Sequence, residues 1–110
     1  MPELKETKKE AKGLKYSLEI EGEEIGRAFI YIMYNDLHEE PFALLEDVYV
    51  DENHRGKGIG KQLVKVAIEG AKKRGCYKLI ATSRYARDTV HQFYKNLGFK
   101  ERGFEFRMNF

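Results

Sequence analysis

Three glycines at alternate positions, Gly56, Gly58 and Gly60, stand between an apolar run and an amphipathic one. Phe42 to Val50 ahead of them reads as a strand. Ile59, Leu63, Val66, Ala67, Gly70 and Ala71 beyond them recur at helical spacing. A glycine turn joining a strand to a helix lets backbone N–H groups approach an anion closely, at the positive end of the helix. Arg55, Lys57 and Lys61 flank the turn and add positive charge. Lys72, Lys73 and Arg74 sit where a helix C-terminus favours cations, and Gly75 supplies the expected C-cap. Tyr77 to Thr82 follows as a short strand, so strand, helix and strand form a right-handed parallel crossover.

The spacing decides which anion such a turn holds. A nucleoside-triphosphate loop needs four residues between its first glycine and a Gly-Lys pair, then a hydroxyl for magnesium. Only three lie between Gly56 and Gly60-Lys61, and Gln62 follows. A dinucleotide fingerprint needs G-x-G-x-x-G, and Lys61 occupies the place of its last glycine. Both phosphate loops fail. A turn with no ligand is the bland alternative, but three glycines cost chain entropy and the basic flanks argue for a purpose.

The remaining segments complete a mixed α/β pattern. Met1 to Lys12 is a charged arm, and Leu14, Tyr16, Leu18 and Ile20 alternate as in a half-buried strand. Glu21-Gly22-Glu23-Glu24 is a turn, Ile25 to Tyr34 a second strand apolar on both faces, and Asn35 to Pro41 a polar loop. A second helix is expected over Asp88 to Leu97, with Val90, Phe93, Tyr94 and Leu97 on one stripe and Gly98 ending it. Phe104, Phe106 and Met108 alternate as a closing strand, giving the order β-β-β-α-β-α-β-β.

Length and composition bound the rest. At 110 residues the chain makes one domain, 1–110. Its one cysteine, Cys76, rules out an intramolecular disulfide and a Cys-rich zinc site, and no metal is expected. No stretch approaches the ~20 apolar residues of a membrane span, and the N-terminus lacks an apolar signal core, so a cytoplasmic protein is the expectation. A net charge of +2 with Lys and Glu interleaved gives no support for a nucleic-acid partner. Charged residues at 35% with two glutamines lean towards a heat-adapted source.

Arg55, Gly58 and Gly60 form Arg-x-x-Gly-x-Gly. That pattern resembles the coenzyme A signature of the GCN5-related N-acetyltransferase superfamily. The resemblance runs from Leu14 onward and includes Leu45-Glu46-Asp47-Val48-Tyr49-Val50, Gly60-Lys61-Gln62-Leu63 and Phe93-Tyr94-Lys95-Asn96-Leu97-Gly98-Phe99. It implies a co-substrate, acetyl-CoA, whose pyrophosphate lies on Arg55, Gly56, Lys57, Gly58, Ile59, Gly60 and Lys61. It also implies that the pantetheine arm pairs like an added strand with backbone groups of Val48, Tyr49 and Val50. Arg87 stands where many members carry an asparagine that contacts the coenzyme, and an arginine there can reach a phosphate. The helix pair usual between the first two strands is missing, so the acceptor site is expected to be open or completed by another subunit.

Acetyl transfer needs a neutral amine, and an alkyl ammonium with pKa ~10.4 is free amine only about 1 time in 2,500 at pH 7. Glu46 interrupts an apolar strand and is the candidate proton acceptor, directly or through a water; its plain alternative is a surface carboxylate or an ion-pair partner. Asp47 falls on the opposite face if the strand is regular. The resemblance gives Tyr94 the role of protonating the leaving thiolate, against the alternative of a core aromatic. Cys76 reads as a small buried thiol, His54 as solvated, and His91 as a surface residue. The Leu-Glu-Asp strand and Phe-Tyr helix are similar to polyamine acetyltransferases. Asp36, Glu39 and Glu40 would attract a cationic acceptor; a protein lysine or N-terminus suits an open site equally. The competing reading is a coenzyme A-binding sensor without turnover. Apolar strand faces and the Phe-rich C-terminus predict a homodimer.

Overall fold

The computed structural model describes residues 2–85 and 87–110. The chain divides into two compact units, residues 1–80 and 81–110.

In the first unit, β1 (Lys12–Ile20), β2 (Glu23–Met33) and β3 (Phe42–Val50) form an antiparallel meander, and β4 (Leu79–Ala81) extends the sheet in the order β1-β2-β3-β4. The β1–β2 hairpin turns on Glu21 (φ 51°) and Gly22 (φ 82°). Two left-handed central residues match the right-handed twist of paired strands, and the hairpin leaves no room for helices between β1 and β2. Tyr77 N donates to Pro41 O and Ala43 N to Lys78 O, each at 3.0 Å, so β4 starts alongside the start of β3 and runs parallel with it. β4 has only three residues against nine in β3, and the C-terminal half of β3 runs on past it.

One helix, α1 (Ile59–Lys73), covers one face of this sheet. Period-two residues Ala28, Ile30 and Ile32 of β2 and Ala43 and Leu45 of β3 are buried against Leu63, Val64, Ala67 and Ala71. Ile30 and Val64 are fully buried, each worth roughly 1.5–3 kcal/mol of transfer free energy. Val66, expected on the inner stripe, is 43% exposed instead; Val64, next to Leu63, takes an inner position. Two glycines permit the close approach. A Cβ on Gly26 would lie 2.9 Å from Leu63 Cδ1 and 3.1 Å from Ile59 Cγ2, and one on Gly70 would strike the Tyr16 hydroxyl.

The second unit holds α2 (Asp88–Asn96). Its C-terminus closes with Leu97 N and Phe99 N donating to Tyr94 O and Gly98 N donating to Lys95 O, with Gly98 left-handed at φ 99°. The expected closing strand does not form: residues 97–110 carry no strand. Alternation supplies only one face of a strand. A ladder also needs a partner edge, and Phe106 and Phe110 are 92% and 112% exposed. The order found is therefore β-β-β-α-β-α, with the mixed α/β class as expected.

Candidate active site

The turn after β3 is built by local hydrogen bonds. Asp51 starts a single 3₁₀ turn over Glu52–His54, its Oδ2 accepting from Asn53 N at 3.2 Å and lying 3.0 Å from His54 Nδ1. His54 is thus held by a carboxylate rather than free in solvent. The His54 hydrogen bond, reinforced by the Asn53 amide, holds the Asp51 carboxyl below its ordinary value. Arg55 turns back to donate Nε to Val50 O at 2.9 Å, tying the end of β3 to the turn. Its guanidinium lies 5.7 Å from the centre of the Tyr49 ring.

Gly56 and Gly58 are both left-handed, at φ 80° and 79°, and a Cβ on either would meet nothing within 4 Å. The glycines therefore serve the backbone and the open space above it. Gly58 is the N-cap of α1 and no side chain caps the helix. The first amide to bond back is that of Gln62, to Gly58 O at 3.0 Å. Ile59, Gly60 and Lys61 precede it, so their N–H groups stand at the start of a 15-residue helix with the positive end of its dipole behind them. Such a cradle suits a pyrophosphate without a metal. Lys57 and Lys61 are exposed beside it.

β3 is not regular. Arg27 pairs with Tyr49 and Phe29 with Glu46, so two steps on β2 face three on β3. The extra residue is a β-bulge at Asp47, which is left-handed at φ 49°. The bulge corrects the expectation that Asp47 lies on the far side of a regular strand. Glu46 and Asp47 are both exposed, one after the other. Arg27 grips Asp47 with two hydrogen bonds, Nε to Oδ2 at 2.8 Å and Nη2 to Oδ1 at 3.2 Å, and its guanidinium lies 4.7 Å from the Tyr49 ring centre. Those bonds hold the Asp47 carboxyl below its ordinary value. Because of the bulge, Glu46 and Tyr49 share the sheet face turned away from α1, together with Phe29 and Tyr31. A regular strand would put residues three apart on opposite faces.

The first unit thus brings together Glu46, Val48, Tyr49, Val50 and the Arg55–Lys61 turn. Val48 to Val50 extend past β4, as an added strand would require, although Val50 O is already taken by Arg55. The second unit carries Tyr94 and Arg87. Tyr94 is half-buried, with its ring edge-on to Phe93 at 5.5 Å and to Phe99 at 5.3 Å. Arg87 is exposed at the N-cap of α2. His91, expected on the surface, is partly exposed there, with Nε2 2.7 Å from Arg84 O. Burial pushes the Cys76 thiol up, which agrees with an inert side chain. The sequence reading missed Arg27, whose link to Asp47 spans 20 residues and leaves no local signal.

The chain is 37% identical over 65 residues to a glucosamine 6-phosphate N-acetyltransferase of Trypanosoma brucei brucei, a match covering 59% of this chain and 42% of that protein. The chain spans well under half the length of the curated relatives it matches. The crystal structure of glucosamine-6-phosphate N-acetyltransferase from Arabidopsis thaliana superimposes with a TM-score of 0.80 at 26% identity, covering 89% of this chain and 67% of that one. A structure described as a transcriptional regulator from Bacillus halodurans gives 0.83 at 32% identity, over 89% and 66% of the two chains. The model of the Acetyltransferase (GNAT) family matches residues 2–99. With nearly the whole sequence matched, and the glycine turn placed between β3 and α1, the chain belongs to the Acetyltransferase (GNAT) family.

Proposed function

We propose that this chain transfers an acetyl group from acetyl-CoA directly to a primary amine. The observation that carries the reading is the turn itself: left-handed Gly56 and Gly58 leave open space above three amides ahead of the first helical hydrogen bond. Arg55, Gly56, Lys57, Gly58, Ile59, Gly60 and Lys61 would hold the pyrophosphate, and Arg87 a further phosphate. The backbone of Val48 and Tyr49 would take the pantetheine arm. The co-substrate supplies the activated thioester, and no metal is needed for it.

The chain's own residues then manage protons. Glu46 accepts the proton of the acceptor ammonium, directly or through a water. That step offsets a cost of about 4–5 kcal/mol for drawing on the minority free amine at pH 7. Tyr94 gives its phenolic proton to the departing sulfur. A tyrosine hydroxyl is a proton donor of the kind such a step uses. The acceptor is a polyamine, another small amine, or a protein lysine or N-terminus. The relatives named for glucosamine 6-phosphate add an amino sugar phosphate to the amines worth testing.

The exposed aromatic tail supports a homodimer, and the absence of any long apolar helix among the described residues is compatible with a cytoplasmic site of action. An acetylation screen across these amines, following free thiol release, tests the reading. Turnover with at least one amine is the expected result. Tight coenzyme A binding without turnover on any of them would overturn it.

A further inference from the structure

We propose that Arg27 is a positioning residue of this site, holding the bulge in β3 that puts Glu46 and Tyr49 on one face. The inference rests on the acetyl-transfer reading for its functional consequence, but the clamp can be tested without it.

The geometry is specific. Among the described residues, Asp47 is one of two non-glycine residues with positive φ, the other lying in the β1–β2 turn, where a left-handed residue is ordinary. Inside a strand the left-handed region is disfavoured for any side chain, though Asp tolerates it better than most. Something must hold it there. Arg27 meets both Asp47 carboxylate oxygens at 2.8 and 3.2 Å while stacking over Tyr49, so one guanidinium reaches the irregular strand on either side of Val48. Arg27 is itself steadied by Glu24, with Nη1 3.6 Å from Oε2, and Glu24 by Lys15 of β1. The register shift falls at the same place, between Arg27 and Phe29 of β2. Removing the grip lets β3 return to regular pairing, which turns either Glu46 or Tyr49 to the α1 face. Tyr49 also neighbours Arg55, so the clamp links the candidate proton acceptor to the anion turn.

The test compares the wild-type chain, Arg27→Met, and Arg27→Met combined with Asp47→Gly. Cross-strand NMR contacts report the register, with residue 27 facing 49 and residue 29 facing 46 in the wild type. Acetylation kinetics report the consequence. Arg27→Met should lose the 27–49 pairing and lower kcat/KM by about 10–100-fold, as displaced catalytic groups do. Adding Asp47→Gly should restore most of both, because glycine takes a left-handed conformation without a clamp. A guanidinium acting only by its charge on a ligand would not be rescued by a glycine. Arg27→Lys keeps the charge without the two-point grip and reads the same way should Arg27→Met fail to fold. An unchanged register in Arg27→Met, or a double variant as impaired as the single one, would overturn the inference. A wild-type chain that acetylates no amine would defeat the parent reading alone; loss and rescue of the register would still establish the clamp.

Discussion

Gly58 shows how a single position separates folding from binding. Its φ of 79° penalises any side chain, yet a Cβ there would touch no protein atom within 4 Å. Gly58→Val therefore strains the backbone by roughly 1–2 kcal/mol and also fills the space an anion would enter. Coenzyme A binding measured by calorimetry should weaken by at least ~1–2 kcal/mol in a variant that remains folded. Unchanged affinity would remove the turn from the binding site. The two proton-handling residues should separate in a different way. Tyr94→Phe keeps the edge-on packing with Phe93 and Phe99 and deletes only the hydroxyl. Coenzyme A affinity should hold while turnover falls roughly 10²–10⁴-fold, the range for a general acid. The loss in Glu46→Gln should grow as pH falls and shrink as pH nears the acceptor's own pKa of ~10, where the amine deprotonates unaided. A loss independent of pH would make Glu46 a binding residue rather than a base.

At the scale of elements, what was legible in the sequence was whatever depends on neighbours along the chain. The β1–β2 hairpin, β3, the glycine turn and α1 all announce themselves through local spacing, and they fall where that spacing places them. The bulge at Asp47 does not, because its cause sits 20 residues away on β2. Leu45 to Val50 reads only as the end of a strand to a reader who cannot see Arg27. The fit of α1 against β2 is equally hidden: Gly26 reads as a weak point in a strand, yet it is where Leu63 and Ile59 seat the first turn of the helix. Gly26→Val should push that turn outward, lower stability by about 1–3 kcal/mol as overpacking does, and weaken coenzyme A binding with it. Denaturant unfolding and calorimetry together check this. The clamp also carries a pH signature. Asp47 and Glu24 have folded pKa values held below their ordinary ones, by Arg27 and by Lys15 respectively. Their contribution is therefore complete above the unfolded carboxylate range near ~4 and is lost as pH falls through the folded values. Asp47→Asn should flatten its share of the acid loss of stability.

For the whole molecule, the sharpest departure from expectation lies at the C-terminus. The sequence alternates Phe104, Phe106, Met108 and Phe110 as a strand would, and the pattern is real: Phe106 and Phe110 have almost no cover at all. What a sequence cannot supply is the edge against which such a strand would pair. Four large apolar side chains left in water forfeit several kcal/mol of available burial, at roughly 1.5–3 kcal/mol each when fully covered. Contiguous apolar patches of more than a few hundred Å² are seldom left open on soluble monomers. Association between copies would cover it, and a two-fold arrangement lets each tail meet the same surface of its partner. The expected outcome is a dimer mass by light scattering at micromolar concentration. Truncation after Gly103 should yield a monomer with α1 and the glycine turn intact, since the core of the first unit contains none of these residues. A full-length chain that scatters as a monomer at high micromolar concentration would rule out association through the tail. If the truncated chain dimerises as well as the intact one, the interface lies elsewhere.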